Sequence, residues 1–178
     1  MENRKGDWIA TYSGIKFWPL DPRVEEINIE DIAHALSNVC RFGGHVKEFY
    51  SVAQHSVYCS YYVEAKNALA GLLHDAAESY LADICRPIKK FINNFQEIED
   101  NLMEVISKKF GFSIQESYKD VKRVDNILLC TEASDLICDG GLNLSNQVKP
   151  LSIKIYPLSP KYAKQSFLKR FKDLYGTY

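Results

Sequence analysis

The stretch Ala70-Gly71-Leu72-Leu73-His74-Asp75-Ala76-Ala77-Glu78 constrains this chain more than any other. Apolar residues at 69, 72, 73, 76 and 77 recur at helical spacing and mark a face that must be buried. His74 and Asp75 interrupt that face, and Glu78 follows one turn later. A carboxylate inside an apolar helix is costly unless something pairs with it. A divalent metal that takes the adjacent imidazole and carboxylate together is the simplest partner. The pair is also compatible with a histidine bonded to a backbone carbonyl and an aspartate turned to water, so the rest of the chain must separate the two readings.

The flanking sequence predicts a mainly α domain spanning residues 1–178. Trp8–Tyr12 and Ile15–Trp18 are β-prone runs split by Ser13-Gly14, a small hairpin that Pro19 and Pro22 end. Residues 151–156 could add a strand to it. Asn28 caps a predicted helix over Ile29 to Val39, with Glu30 and Asp31 in its first turn, where the helix dipole favours acids. His34 beside its apolar stripe reads as a packed structural histidine, and Trp18 as core rather than a platform for a base. Ser51 and Gln54 form a capping box for a helix from Val52 to about Glu64, with His55 in its first turn. Asn67 caps the central helix, and Pro87 breaks the chain after it. Further helices are expected at Phe95–Phe110, stopped by Gly111, at Ser117 to about Ile137, ended by Gly140-Gly141, and from Ser159-Pro160 to Tyr175.

Composition narrows the setting. The net charge of −1 offers no basic surplus for nucleic acid. Five cysteines, odd in number and without a Cys-x-x-Cys pair, argue against a disulfide framework and for a reducing compartment. With neither an apolar signal region nor a run long enough to span a bilayer, a cytoplasmic protein is expected, without membrane contact.

Four polar groups stand where helices would bring them together: His55, His74, Asp75 and Asp125, the last set between Val124 and Ile127 on an otherwise apolar face. The order of His, then His-Asp, then a distant Asp resembles the HD-domain metal-dependent phosphohydrolases. The segments Tyr50–Val57, Leu73–Ile84 with Arg86-Pro87-Ile88-Lys89, and Val121–Asp125 carry the resemblance, which covers roughly residues 8 to 175. It is greatest to small 5'-deoxynucleotidases and phage dATP triphosphohydrolases.

That resemblance implies one divalent transition metal on His55, His74, Asp75 and Asp125. The nitrogen and oxygen donor set suits Mn, Co, Fe, Ni or Zn over Mg, with extra Mg accompanying a triphosphate. It implies Glu78 as a proton relay and Asp83 as acceptor for a sugar 3'-hydroxyl. Arg41 is the candidate phosphate clamp, because a guanidinium matches a phosphate with two hydrogen bonds. Gly43 and Gly44 would let backbone approach the ligand, with Phe42 beside the base and His45 near the phosphate. Family members often carry Trp where this chain has Phe42, which leaves base preference open. Arg86, Lys89 and Lys90 could meet a triphosphate tail.

The expected partner is thus a small nucleotide rather than a nucleic acid. A non-catalytic nucleotide-binding or regulatory module on the same fold is the alternative. A homo-oligomer is expected, with Tyr58, Tyr61, Tyr62 and the aromatic-rich last helix as candidate surface.

Overall fold

A computed structural model of the chain describes residues 4–138 and 148–176. The architecture is mainly α, with one small antiparallel hairpin at the N-terminal end. The hairpin pairs Ile9–Ala10 (β1) with Lys16–Phe17 (β2), Ile9 opposite Phe17 and Ala10 opposite Lys16. Its turn is tied down from outside: the Ser13 N–H and hydroxyl both donate to the buried carboxylate of Asp31, at 2.6 and 2.7 Å. Asp31 belongs to Ile29–Asn38 (α1), whose Asn28 cap accepts from the Glu30 N–H as expected.

The predicted helices are present. Val52–Tyr62 (α2) starts on the Ser51 cap, and Phe95–Phe110 (α6) ends at Gly111 in the left-handed conformation. Ile114–Leu136 (α7) begins three residues earlier than the sequence suggested, because Ser113 supplies the cap to the Glu116 N–H. Pro160–Tyr175 (α8) closes the chain with its proline in the first turn. The Gly140-Gly141 stop lies outside the described residues.

The central helix departs from expectation. It forms Ala68–Leu73 (α3), passes through tight turns at 74–77, and resumes as Glu78–Leu81 (α4), followed by Arg86–Lys89 (α5). The interruption has a local cause. The His74 Nδ1 lies 2.8 Å from the Gly71 carbonyl, the acceptor that an uninterrupted helix would give to the Asp75 N–H. The histidine therefore spends a backbone acceptor on its own orientation.

Residues 151–156 make no strand. They run beside α7, whose side chains accept from their backbone: Leu151 N–H donates to Thr131 Oγ1 at 3.0 Å and Ile155 N–H to Asp135 Oδ2 at 2.7 Å. The buried Gln54 amide of α2 then takes the Tyr156 carbonyl and the Leu158 N–H, both at 2.8 Å. Gln54 consequently serves the C-terminal segment, and only the Ser51 half of the predicted capping box forms.

The core lies between α1, α2, α3, α6 and α8, where Ile32, Leu36, Leu72, Leu73, Leu102, Ile106 and Phe167 have no solvent exposure. Phe167 and Phe171 of the last helix are core, whereas Tyr61 and Tyr62 of α2 are exposed. Helices α2 and α3 meet at Gly71, where a Cβ would stand 3.2 Å from Ser60 Cα and 3.0 Å from Val63 Cγ2. Alanine would favour the helix by about 1 kcal/mol, but overpacking against backbone costs about 1–3 kcal/mol. Gly71→Ala is therefore expected to lower the melting temperature in a thermal scan. A rise would mean that α2 and α3 can move apart freely.

Candidate metal centre

Three elements converge on one spot. His55 stands in the first turn of α2 and is fully buried. His74 and Asp75 occupy the turns after α3, and Asp125 lies on the buried face of α7. Ligand atoms of His55, His74 and Asp125 all lie within 4.8 Å of one another. The Asp125 Oδ1 is 3.5 Å from the His55 Nε2. Asp75, the fourth expected ligand, sits against both rings, its Oδ2 3.2 Å from His74 Nε2 and 3.7 Å from His55 Nε2.

Whether these residues suit a cation follows from their outer nitrogens. His74 Nδ1 faces the Gly71 carbonyl, which can only accept, so that nitrogen carries a proton. His55 Nδ1 lies 2.7 Å from Glu132 Oε1. Burial alone would raise the Glu132 pKa, but Arg41, His55 and Tyr50 outweigh it and keep the group ionised. His55 Nδ1 is then the protonated nitrogen as well. In the neutral rings the two Nε2 atoms are left with lone pairs facing each other at 3.3 Å, an unfavourable contact unless something positive lies between them. Two nitrogens about 2.0–2.1 Å from one tetrahedral ion stand about 3.3–3.4 Å apart, so the spacing suits a shared metal.

Protons can meet the same demand. Burial presses His74 toward neutrality, but Asp75 and Cys59 raise its pKa well above the usual histidine value. His55 is likewise raised, as Glu132 and Asp125 overcome burial and the Arg41 charge. Asp75 and Asp125 remain ionised: against the burial penalty, His74 and His55 hold Asp75 far below the usual range, and His55, His74 and Arg86 do the same for Asp125. A divalent ion would replace those protons, which couples metal binding to proton release.

Around this cluster stand the other expected residues. Arg41 is buried. Its Nε donates to Glu132 Oε2 at 3.0 Å, and its Nη1 lies 3.7 Å from Asp75 Oδ2. The following residue, Phe42, has φ 57° and ψ 26°, the left-handed region, and lies half-buried against the guanidinium. His45 is exposed at the end of the same loop. Glu78 has a buried Oε2 with no hydrogen-bond partner among the described residues. Burial, then the charges of Asp75 and Asp83, push its pKa well above the ordinary glutamate value, opposite in direction to Asp75. Asp83 is half-buried and also raised, by burial and Asp75 against the pull of Arg41. It follows Ala82, whose φ of 69° and ψ of 158° belong to a region that essentially only glycine enters.

Sequence reasoning missed Glu132. Its side chain is fully buried, and it receives Arg41, Tyr50 and His55. The signal was present, since position 132 follows Asp125 by seven on the same helix face, among Leu128, Ala133 and Leu136. Arg86, expected to await a phosphate tail, instead donates to Asp125 Oδ2, and Lys122 approaches the same oxygen at 3.2 Å. His34 is packed as expected, stacked on Tyr12 at 3.8 Å. Trp18 is half-buried beneath the Arg4 guanidinium.

Chelator-treated protein is expected to melt at a lower temperature than protein supplied with Mn or Zn, with the difference abolished in Asp125→Asn. The same metal response in that variant would remove Asp125 from the site.

No protein-family model matches the chain. It is 39% identical over 170 residues to the uncharacterized protein YfdR of Escherichia coli, covering 94% of this chain and 95% of that protein. It is also 37% identical over 117 residues to an uncharacterized protein of Rhodobacter capsulatus, covering 60% of each. Similarity running through nearly the whole of both chains, at that identity, makes this protein a member of the YfdR family.

Proposed function

We propose that this protein is a metal-dependent phosphohydrolase of the HD-domain type that removes phosphate from small deoxynucleotides. One observation carries the reading: two imidazole nitrogens face each other at 3.3 Å beside the carboxylates of Asp75 and Asp125, with a buried arginine and the buried, unpartnered Glu78 Oε2 at the edge. His55, His74 and Asp125, with Asp75 against both rings, would hold the ion. A bound divalent ion supplies Lewis acidity toward a phosphoryl oxygen.

The chain's own groups supply the rest. Arg41 uses only its Nε on Glu132, and its Nη1 edge lies toward Asp75 and the cluster, available to a phosphate oxygen. Hydrolysis forms a P–O bond to a water oxygen and breaks the P–O bond to the departing oxygen; water loses one proton, the departing oxygen gains one, and Glu78, buried at the edge of the cluster, is the acid placed to pass it. An unpartnered buried acid is costly in a module that merely binds, and this favours the catalytic reading over the non-catalytic one. Asp83, placed by the strained turn at Ala82, is the acceptor for a sugar hydroxyl. Arg86 and Lys122 bring positive charge to the Asp125 rim, where a monophosphate or a triphosphate would meet it.

Release of phosphate and of triphosphate across a deoxynucleotide panel, with metal content measured alongside, tests the proposal. Activity is expected to depend on Mn or Co and to stop with chelator. Full turnover in excess chelator, from protein shown to hold no metal, would overturn it.

Two variants test the roles. Glu78→Gln is expected to keep its metal and lose about 10²–10⁴-fold in turnover, the contribution of a positioned acid. Loss of metal instead would make Glu78 a support of the ligands. Arg41→Ala is a poor probe, because it strands the buried Glu132 charge at a cost of about 3–5 kcal/mol in stability. Arg41→Lys retains the charge but not the fork, and turnover is expected to fall while metal stoichiometry holds. Unchanged kinetics would leave Arg41 a purely structural partner of Glu132.

A further inference from the structure

Glu132 has no exposed side-chain surface, yet both of its oxygens are engaged by donors and one lies next to a candidate metal ligand. Its two oxygens are divided. Oε2 accepts the Arg41 Nε–H at 3.0 Å, while Oε1 accepts the Tyr50 hydroxyl at 2.8 Å and faces His55 Nδ1 at 2.7 Å. A carboxylate whose only task was to neutralise Arg41 would have no need of the other two. The position on α7 matters too. Asp125 and Glu132 are separated by two helical turns, a rise of about 10.5 Å. The His55 ring fits between them, with Nε2 toward Asp125 at 3.5 Å and Nδ1 toward Glu132. Turning the ring over would set a carbon edge against a buried charge.

We propose that Glu132 is a positioning residue with two simultaneous tasks: it fixes His55 as the Nδ1–H tautomer, so that a bare Nε2 faces the cluster, and it holds the Arg41 guanidinium in register with that imidazole. The tautomer follows from the hydrogen bonds alone, whereas the value of the register to phosphate chemistry rests on the phosphohydrolase reading. A carboxylate that orients a histidine ligand typically changes metal affinity by about 10–100-fold when it is removed. Glutamine is the informative replacement. It preserves shape but has one acceptor and one donor end, so it cannot accept from Arg41 on one side and from His55 and Tyr50 on the other.

The test begins with the unmutated, metal-free protein. Its imidazole ¹⁵N–¹H correlation spectrum at alkaline pH is expected to show His55 protonated at Nδ1, with an Arg41 Nε–H signal that exchanges slowly with solvent. A His55 protonated at Nε2, or a mixture of tautomers, would overturn the assignment without recourse to any variant. Mn affinity by calorimetry then compares this protein with Glu132→Gln. A loss of about 10–100-fold is expected, together with faster exchange of the Arg41 Nε–H, in protein whose circular dichroism is unchanged. Affinity within twofold of the original in a folded variant would likewise sink the idea. Glu132→Asp keeps the charge and withdraws it by one methylene; it takes the place of the amide variant if that fails to fold, with the same loss expected. Should the unmutated protein bind no divalent ion at all, the phosphohydrolase reading fails, and the tautomer spectrum still decides the role of Glu132.

Discussion

One imidazole ring held between two carboxylates of a single helix is the constraint on which the rest of this structure depends. His55 is completely buried, and α7 meets both of its nitrogens, with Asp125 on one side and Glu132 on the other. Neither carboxylate could stay ionised in such a place without further charge. Arg41 compensates Glu132 from within, while Arg86 and Lys122 compensate Asp125 from the rim. Tyr50 completes the inner set through its hydroxyl. The packing of α2 against α7 is therefore as much a matter of satisfied polar groups as of apolar area, since a buried network left incomplete is worse than none.

The backbone bends to serve that network at three places. The turn at His74 interrupts the helical ladder so that the imidazole can take the Gly71 carbonyl. Phe42 adopts a left-handed conformation immediately after Arg41, and Ala82 takes a conformation suited to glycine immediately before Asp83. Such conformations cost about 1–3 kcal/mol each and persist only where the surroundings dictate them. Gly71 allows α2 and α3 to approach closely enough for His55 and His74 to meet. Two of the three non-glycine residues at positive φ among the described residues, and the close approach at Gly71, thus fall around the same few side chains; the third, Asn94, starts α6.

The electrostatics divide the carboxyl groups by task. Asp75, Asp125 and Glu132 are held ionised by imidazole or guanidinium neighbours. Glu78 is pushed the other way, because burial and two nearby aspartates oppose its charge. Carboxyl groups of one residue class are thus shifted in opposite directions within one cluster, by environment rather than by type. That division is what the proposed phosphoryl chemistry needs, and it would persist whether one phosphate or three is removed.

The sequence by itself determined the helical class, the hairpin and most helix ends, because these follow from local signals. Asn28, Ser51 and Ser159-Pro160 mark starts, Gly111 marks a stop, and the apolar stripes of α1, α6 and α7 repeat at helical spacing. It also singled out His55, His74, Asp75 and Asp125, since polar groups on apolar faces are conspicuous in one dimension. It did not show that residues 151–158 would bond to Thr131, Asp135 and Gln54 instead of to the hairpin, since an extended run carries no record of its partner. Nor did it show the break at His74, the sign of the Glu78 shift, or the pairing of Arg86 with Asp125. Glu132 is the clearest case. Its helix position marked it as buried, but its task depends on Arg41, Tyr50 and His55, which lie 91, 82 and 77 residues away along the chain. Only the tertiary fold decides which donors surround a buried charge, because hydrogen bonds and ion pairs act over a few ångströms in space and are indifferent to separation in sequence.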